Sequence, residues 1–178
     1  MEGAAFRAYP QSGNLTKRRM NVKKVISIAA VCLLMAFLLT SCGGKTALTS
    51  DGFIIKATAN DLKVQDNTSQ YSEYEHIKTV VTAYVAKDSD IQWKCDFIVA
   101  ADEENAKGMY ESNKEIFQQD NAVGAIENST SGGNYNTYER EANGKYMYLG
   151  RVGHTLLYMS IEEAYEEDAK AFIKAINY

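Results

Sequence analysis

Residues 135–161 read YNTYEREANGKYMYLGRVGHTLLYMSI, and this stretch decides the fold. It divides into three runs rich in aromatic and β-branched residues, Tyr135–Glu141, Lys145–Val152 and Thr155–Ile161. Asn143-Gly144 separates the first two. That dipeptide suits a two-residue hairpin, because both central residues of such a turn need positive φ. Gly153-His154 supplies the second turn. Three strands joined by two tight turns predict an antiparallel meander.

Working back along the chain, Ile91-Gln-Trp-Lys-Cys-Asp-Phe-Ile-Val99 alternates. Ile91, Trp93, Cys95, Phe97 and Val99 are expected on one face, and Gln92, Lys94 and Asp96 on the other, as in a strand with one face on a core. Val80–Ala86 is rich in β-branched residues and forms its hairpin partner across Lys87-Asp88-Ser89-Asp90. Residues 65–78 are polar, carry Tyr71 and Tyr74, and are predicted as loop, as is Ser129-Thr130-Ser131-Gly132-Gly133-Asn134.

Three helices are predicted around these strands. Thr49 or Ser50 caps a short one with Phe53, Ile54 and Ala57 on its apolar face, ended by Asn60-Asp61. Leu62-Lys63-Val64 follows as a short extended piece. Asp102 caps the second, through about Gln119, with Ala106, Met109, Tyr110, Asn113, Ile116 and Phe117 at helical spacing. The last, about Glu163–Ile176, buries Ala169, Phe172, Ile173 and Ile176. The expected fold class is α+β: a mostly antiparallel sheet covered by helices, in the order α-β-β-α-β-β-β-α.

Over 178 residues, 19 Lys and Arg against 23 Asp and Glu give a net charge of −4. That leaves no whole-chain basic footprint, so no nucleic-acid partner is expected. The average conceals an asymmetry. The first 41 residues hold six basic groups, Arg7, Lys17, Arg18, Arg19, Lys23 and Lys24, and one acid, Glu2; the remainder carries −9. Met20-Asn-Val-Lys-Lys24 precedes the uncharged apolar run VISIAAVCLLMAFLL, Val25 to Leu39. A run of fifteen residues, polar only at Ser27, is short of the ~20 a spanning helix needs. A basic start, an apolar stretch and a small-residue end are the marks of a signal peptide. Residues 1–19 fit neither this segment nor a folded domain, and are read as an upstream extension ahead of a translation start at Met20.

Leu39-Thr40-Ser41-Cys42 resembles the lipobox of bacterial lipoproteins. The resemblance implies a diacylglyceryl thioether on Cys42 and signal-peptidase cleavage between Ser41 and Cys42. Residues 20–41 then form the signal peptide, 42–48 a lipidated tether and 49–178 an extracytoplasmic α+β domain. Two or more acyl chains, at about 0.8 kcal/mol per buried CH₂, hold a protein stably at a membrane. Through Ala100-Ala-Asp-Glu-Glu-Asn-Ala-Lys107, Asn113-Lys114, Phe117 and Asn143 to Tyr158, the domain also resembles a set of small lipoproteins of Gram-positive, Clostridia-like bacteria. The likeness implies no activity and no catalytic residues.

Candidate sites are few. Cys95 lies between Trp93 and Phe97 on the apolar strand face and reads as a small core residue. Nothing in the sequence places His76 or His154 beside it as a base. No zinc spacing, nucleophile elbow or phosphate loop occurs, so no metal, cofactor or catalytic residue is expected. Glu162 to Asp168 is dense in acids, which suits a helix N-terminus. Arg151 is expected to pair with a carboxylate on the sheet. Tyr135, Tyr138, Tyr146, Tyr148 and Tyr158 form the one possible binding surface, since Tyr presents an apolar ring with a polar tip.

The expected function is that of a non-enzymatic, membrane-anchored lipoprotein on the extracytoplasmic face. Its partners are the membrane, through Cys42, and a protein or an envelope glycan. The alternatives are a small extracytoplasmic hydrolase and a transporter-associated or stress-sensing lipoprotein. Replacing Cys42 by Ser should leave an unprocessed precursor that takes up no labelled acyl chain. Intact-mass analysis of the wild-type chain should find a mature N-terminus at a lipidated Cys42; an unmodified N-terminus elsewhere contradicts the lipobox reading.

Overall fold

Phe97 is fully buried on a strand that pairs on both sides. The structure is a computed structural model that describes residues 44–119 and 122–178. The signal segment, the upstream extension and the Ser41-Cys42 junction lie outside the described residues. Among the described residues no helix is long and apolar enough to cross a membrane.

The first helix, α1 (Ser50–Ala59), starts where Thr49 Oγ1 accepts the Gly52 N–H at 3.0 Å. It ends as Asp61 takes positive φ. Strand β1 (Lys63–Asp66) follows, then β2 (Ile77–Lys87) and β3 (Asp90–Ala100), which form a hairpin. Helix α2 (Glu103–Gln118) is capped by Asp102, whose Oδ1 accepts the Asn105 N–H at 2.8 Å. Edge strand β4 (Ile126–Ser131) leads into the meander of β5 (Tyr135–Ala142), β6 (Lys145–Val152) and β7 (Thr155–Glu162). A single 3₁₀ turn precedes α3 (Glu166–Ile176). Asn143 and Gly144 both have positive φ, as the hairpin reading requires.

The seven strands form one antiparallel sheet in the order β1-β2-β3-β7-β6-β5-β4. The predicted α+β class holds, but the predicted element order is corrected by two strands. Lys63–Asp66 pairs with β2, and Ile126–Ser131 pairs with β5, so that Ser129, Thr130 and Ser131 belong to a strand and not to a loop. Both are edge strands in which no residue is buried, so no hydrophobic alternation marks them.

Helices cover both faces of the sheet. One face carries Val81, Phe97 and Leu157 in register across β2, β3 and β7, under α1 and α3. Phe53 of α1 stacks on Phe97 at 4.5 Å between ring centroids, and Phe172 of α3 meets Phe53 edge-on at 6.2 Å and Trp93 at 6.0 Å. Gly150 sits in the same row, and a side chain there would fall 2.8 Å from the Tyr178 ring. The missing Cβ therefore admits Tyr178, which meets Phe97 edge-on at 6.0 Å and shares a 2.7 Å hydrogen bond with Thr155. On the other face Ala106, Tyr110 and Phe117 of α2 pack on Ala100, Tyr138, Met147, Leu149 and Leu156.

Two apolar positions depart from their predicted burial. Ile91 is 56% exposed. The register between β2 and β3 slips by one residue there, Val85 facing Trp93 and Ala86 facing Ile91, so Ile91 lies past a bulge at the hairpin end. Ile116 is also exposed, because the buried stripe of α2 runs through Ala106, Tyr110 and Phe117 and leaves it on the flank.

Within the span 42–48 expected as a tether, the described residues are held against the domain from Lys45 onward. Lys45 is already fixed: its N–H donates to Asn134 Oδ1 at 3.0 Å, its carbonyl accepts from Asn134 Nδ2 at 2.7 Å, and its ammonium reaches the Tyr178 carbonyl. Ala47 and Leu48 then pack on the core under α1.

Cys95 is buried beside Trp93 on this face, and burial, with the Asp96 charge adding to it, pushes its thiol well above the ordinary range. Trp93→Ala should cost ~3–5 kcal/mol through lost burial and a cavity, against a total of ~5–15 kcal/mol for a typical domain. Denaturant titration should show that loss, and Cys95 should react slowly with a thiol reagent until the chain is unfolded. Rapid native labelling with an unchanged Trp93→Ala midpoint would put this face in solvent.

Candidate functional site

The segment between β1 and β2, read from sequence as loop, contains a 3₁₀ turn at Thr68–Tyr71 and is hydrogen-bonded to the sheet. Asp66 Oδ1 accepts the Thr68 N–H at 2.8 Å, and the Thr68 hydroxyl and backbone N–H hold the Asp66 carboxyl below its ordinary range. Thr68 Oγ1 in turn accepts the Val80 N–H at 3.1 Å. Asn67 donates its backbone N–H to the Val80 carbonyl at 2.9 Å and its side-chain amide to Thr82 Oγ1 at 2.7 Å. Thr82 passes the chain on to Asp96 Oδ1 at 2.6 Å. At the far end the Ala101 N–H donates to the His76 carbonyl at 2.9 Å. Sheet and platform are thus joined at both ends.

Three rings stand on this platform. Tyr71 and Tyr74 lie 6.3 Å apart, and His76 meets Tyr74 edge-on at 5.9 Å. Tyr74 is 52% exposed. Opposite them runs α2, placed by its Asp102 cap and its buried stripe. Between the two lies an open groove of about 770 Å³. Its helix side is lined by Glu104, Asn105, Gly108, Met109, Ser112 and Asn113. Gly108 is a notch in that wall, since a side chain there would meet nothing within 4 Å. Asn113 gives its amide N–H to the Met109 carbonyl at 2.7 Å, which fixes the side chain.

Exposed aromatic faces beside amide, hydroxyl and carboxylate groups suit a ligand with apolar C–H faces and many hydroxyls.

The tyrosines singled out in sequence do not form a surface. Tyr138, Tyr146 and Tyr148 are at most 1% exposed and belong to the core, which corrects the expected binding face. The five also divide between two sides: Tyr146, Tyr148 and Tyr135 lie under α1 and α3, and Tyr138 and Tyr158 under α2. Alternation on paired strands separates them. Tyr135 is half-buried with Lys45 over its ring at 5.2 Å, and half-buried Tyr158 packs on Phe117 at 5.1 Å. Burial pushes the Tyr146 and Tyr148 phenols well up.

Arg151 is a further correction. It binds the Asn136 amide oxygen and the Gly153 carbonyl in place of the expected carboxylate. Of the acid run, Glu166 pairs with Lys170, and Glu166, Glu167 and Asp168 occupy the first turn of α3. Among the described residues no group of three or more His, Cys, Asp or Glu could hold a metal ion. Cys95 is buried, whereas His76 and His154 are exposed.

Tyr71, Tyr74 and His76 are visible in the sequence, but no local pattern places α2 across from them. A run of aromatic residues inside an otherwise polar connection was the available signal.

No family model matches this chain, and neither a curated protein nor a solved structure does.

Because Gly108 is helical and faces open space, Gly108→Ala should stabilise α2 by roughly 0.5–1 kcal/mol. Thermal unfolding reads this as a raised midpoint. A lowered midpoint would mean that the notch is already filled by packing.

Proposed function

We propose that this chain is a lipid-anchored, extracytoplasmic binding protein without catalytic activity, and that its groove holds a glycan of the cell envelope. The observation that carries the reading is the pinned platform of Tyr71, Tyr74 and His76 facing the polar side of α2. A preformed groove loses little entropy on binding. Sugar rings offer C–H faces to Tyr71 and Tyr74 and hydroxyls to Glu104, Asn105, Ser112 and Asn113.

The docking of Lys45 sets how closely a lipid on Cys42 would hold the domain. Only Gly43 and Gly44 separate Cys42 from Lys45, three residue steps that reach ~10 Å even when extended. A lipid on Cys42 would hold this domain against the membrane, with little freedom to roam. A wall polymer lying close to that membrane is within its reach.

The test is calorimetric titration of the full chain in detergent with a soluble N-acetylglucosamine tetrasaccharide, alongside co-sedimentation with purified cell-wall polymer. Tyr74→Ala should weaken binding at least tenfold while the melting midpoint stays within about two degrees, because Tyr74 is exposed. Gly108→Trp should fill the notch and do the same. Absence of binding to either material, or binding indifferent to both substitutions, would overturn the proposal.

A further inference from the structure

Two arginines are buried on the α2 side of the sheet, and the fold treats them differently. Arg140 sits opposite Glu127 on the neighbouring strand and forms an ion pair with it. Burial works against the Glu127 charge, but its side-chain hydrogen bonds and the Arg140 charge outweigh this and hold its carboxyl below the ordinary range. Arg151 sits opposite Asn136, an amide. Its Nε and Nη2 both donate to Asn136 Oδ1, at 2.9 and 2.7 Å, and its Nη1 donates to the Gly153 carbonyl at 3.0 Å. Among the described residues no carboxylate stands within ion-pair distance of it.

A guanidinium carries five N–H donors. Three of those on Arg151 are used, and two remain. Only 7% of the residue is exposed. A buried cation without a counter-charge is costly unless something compensates it.

The place where Arg151 reaches the surface is a cleft of about 460 Å³. Its other walls are Glu103, Glu104 and Lys107 at the start of α2, Asn136, and the bend at Gly132 and Gly133. Asn136 is held from behind, its amide donating to Ser131 Oγ at 3.1 Å. The cleft thus has one buried cation, one cation at the rim and two rim carboxylates. Its charges balance, but they are separated.

We propose that this cleft binds a small zwitterion, an anionic group with an ammonium a few bonds away. The anion takes the two remaining N–H groups of Arg151, whose planar fork matches a carboxylate or a phosphate. The ammonium takes Glu103 and Glu104. Two sources share this chemistry: a free amino acid or peptide, and an aminoalkyl phosphate such as a lipid headgroup. The site goes beyond the glycan groove, although Glu104 borders both.

Calorimetric titration of the full chain with L-alanine and with O-phosphoethanolamine tests it. Acetate, inorganic phosphate and ethanolamine serve as half-ligands. At least one zwitterion should bind, and its two halves should bind at least tenfold more weakly. Preference for L-alanine assigns the amino-acid source, and preference for O-phosphoethanolamine the headgroup source. Arg151→Lys should abolish the response. Should that variant not fold, Glu103→Gln, at an exposed position away from the groove, should weaken the zwitterion at least threefold and leave acetate unchanged. Tyr74→Ala should have no effect here, which separates this site from the glycan reading. Failure of both zwitterions to bind overturns the proposal. So does a half-ligand that binds as well as the whole, or binding indifferent to Glu103→Gln.

Discussion

The stack of Phe53 on Phe97 is the contact on which the remaining structure depends. Phe97 belongs to β3, the strand that joins the N-terminal hairpin to the meander through its pairing with β7. Its ring lies 4.5 Å from Phe53, and the two are nearly parallel. That contact brings α1 onto the sheet, and Phe172 and Tyr178 close around it from the C-terminal end. One residue thus ties the start, middle and end of the domain together. Aromatic pairs of this kind contribute about 0.5–1.5 kcal/mol beyond the area they bury. With α1 and α3 occupying this face, α2 covers the other, and both the aromatic groove and the charged cleft fall along the margins of α2.

Those margins carry two unlike surfaces. On one side of the helix start, aromatic rings face amides across a groove; on the other, separated charges surround a buried guanidinium. The Asp102 cap fixes the position of the α2 N-terminus, and with it Glu103, Glu104 and Asn105. A shift of that cap would disturb both surfaces together. Lys45 is held by Asn134, next to the Gly132–Gly133 bend that borders the cleft.

The sequence spoke clearly wherever burial is one-sided or a turn has special chemistry. Trp93, Cys95 and Phe97 alternate because only one face of that part of β3 is fully buried. Asn143-Gly144 marks its hairpin because both residues adopt positive φ. Asp102 marks a helix start because its side chain meets an orphan N–H. Silence came from the edges. IENSTS, residues 126–131, pairs through its backbone with all six side chains exposed, so its letters carry no period. The bulge that turns Ile91 outward is likewise a matter of pairing. The tyrosines misled because type and proximity in sequence do not reveal which strand face a residue takes. Arg151 was expected to find a carboxylate, but the register brings it Asn136. The groove needed two segments some thirty residues apart to meet, which no local pattern encodes.

The central claim is that residues 66–77 form a fixed platform, so that the groove exists before any ligand arrives. Amide hydrogen exchange on the unliganded full chain measures this directly. The N–H groups of Asn67, Ile77 and Ala101 donate to Val80, Tyr74 and His76 carbonyls. On this account they exchange slowly, with protection approaching that of the central strands. Exchange at the rate of an open loop for all three, with β3 and β6 still protected, would contradict it: the rings of Tyr71, Tyr74 and His76 would then have no fixed place opposite α2.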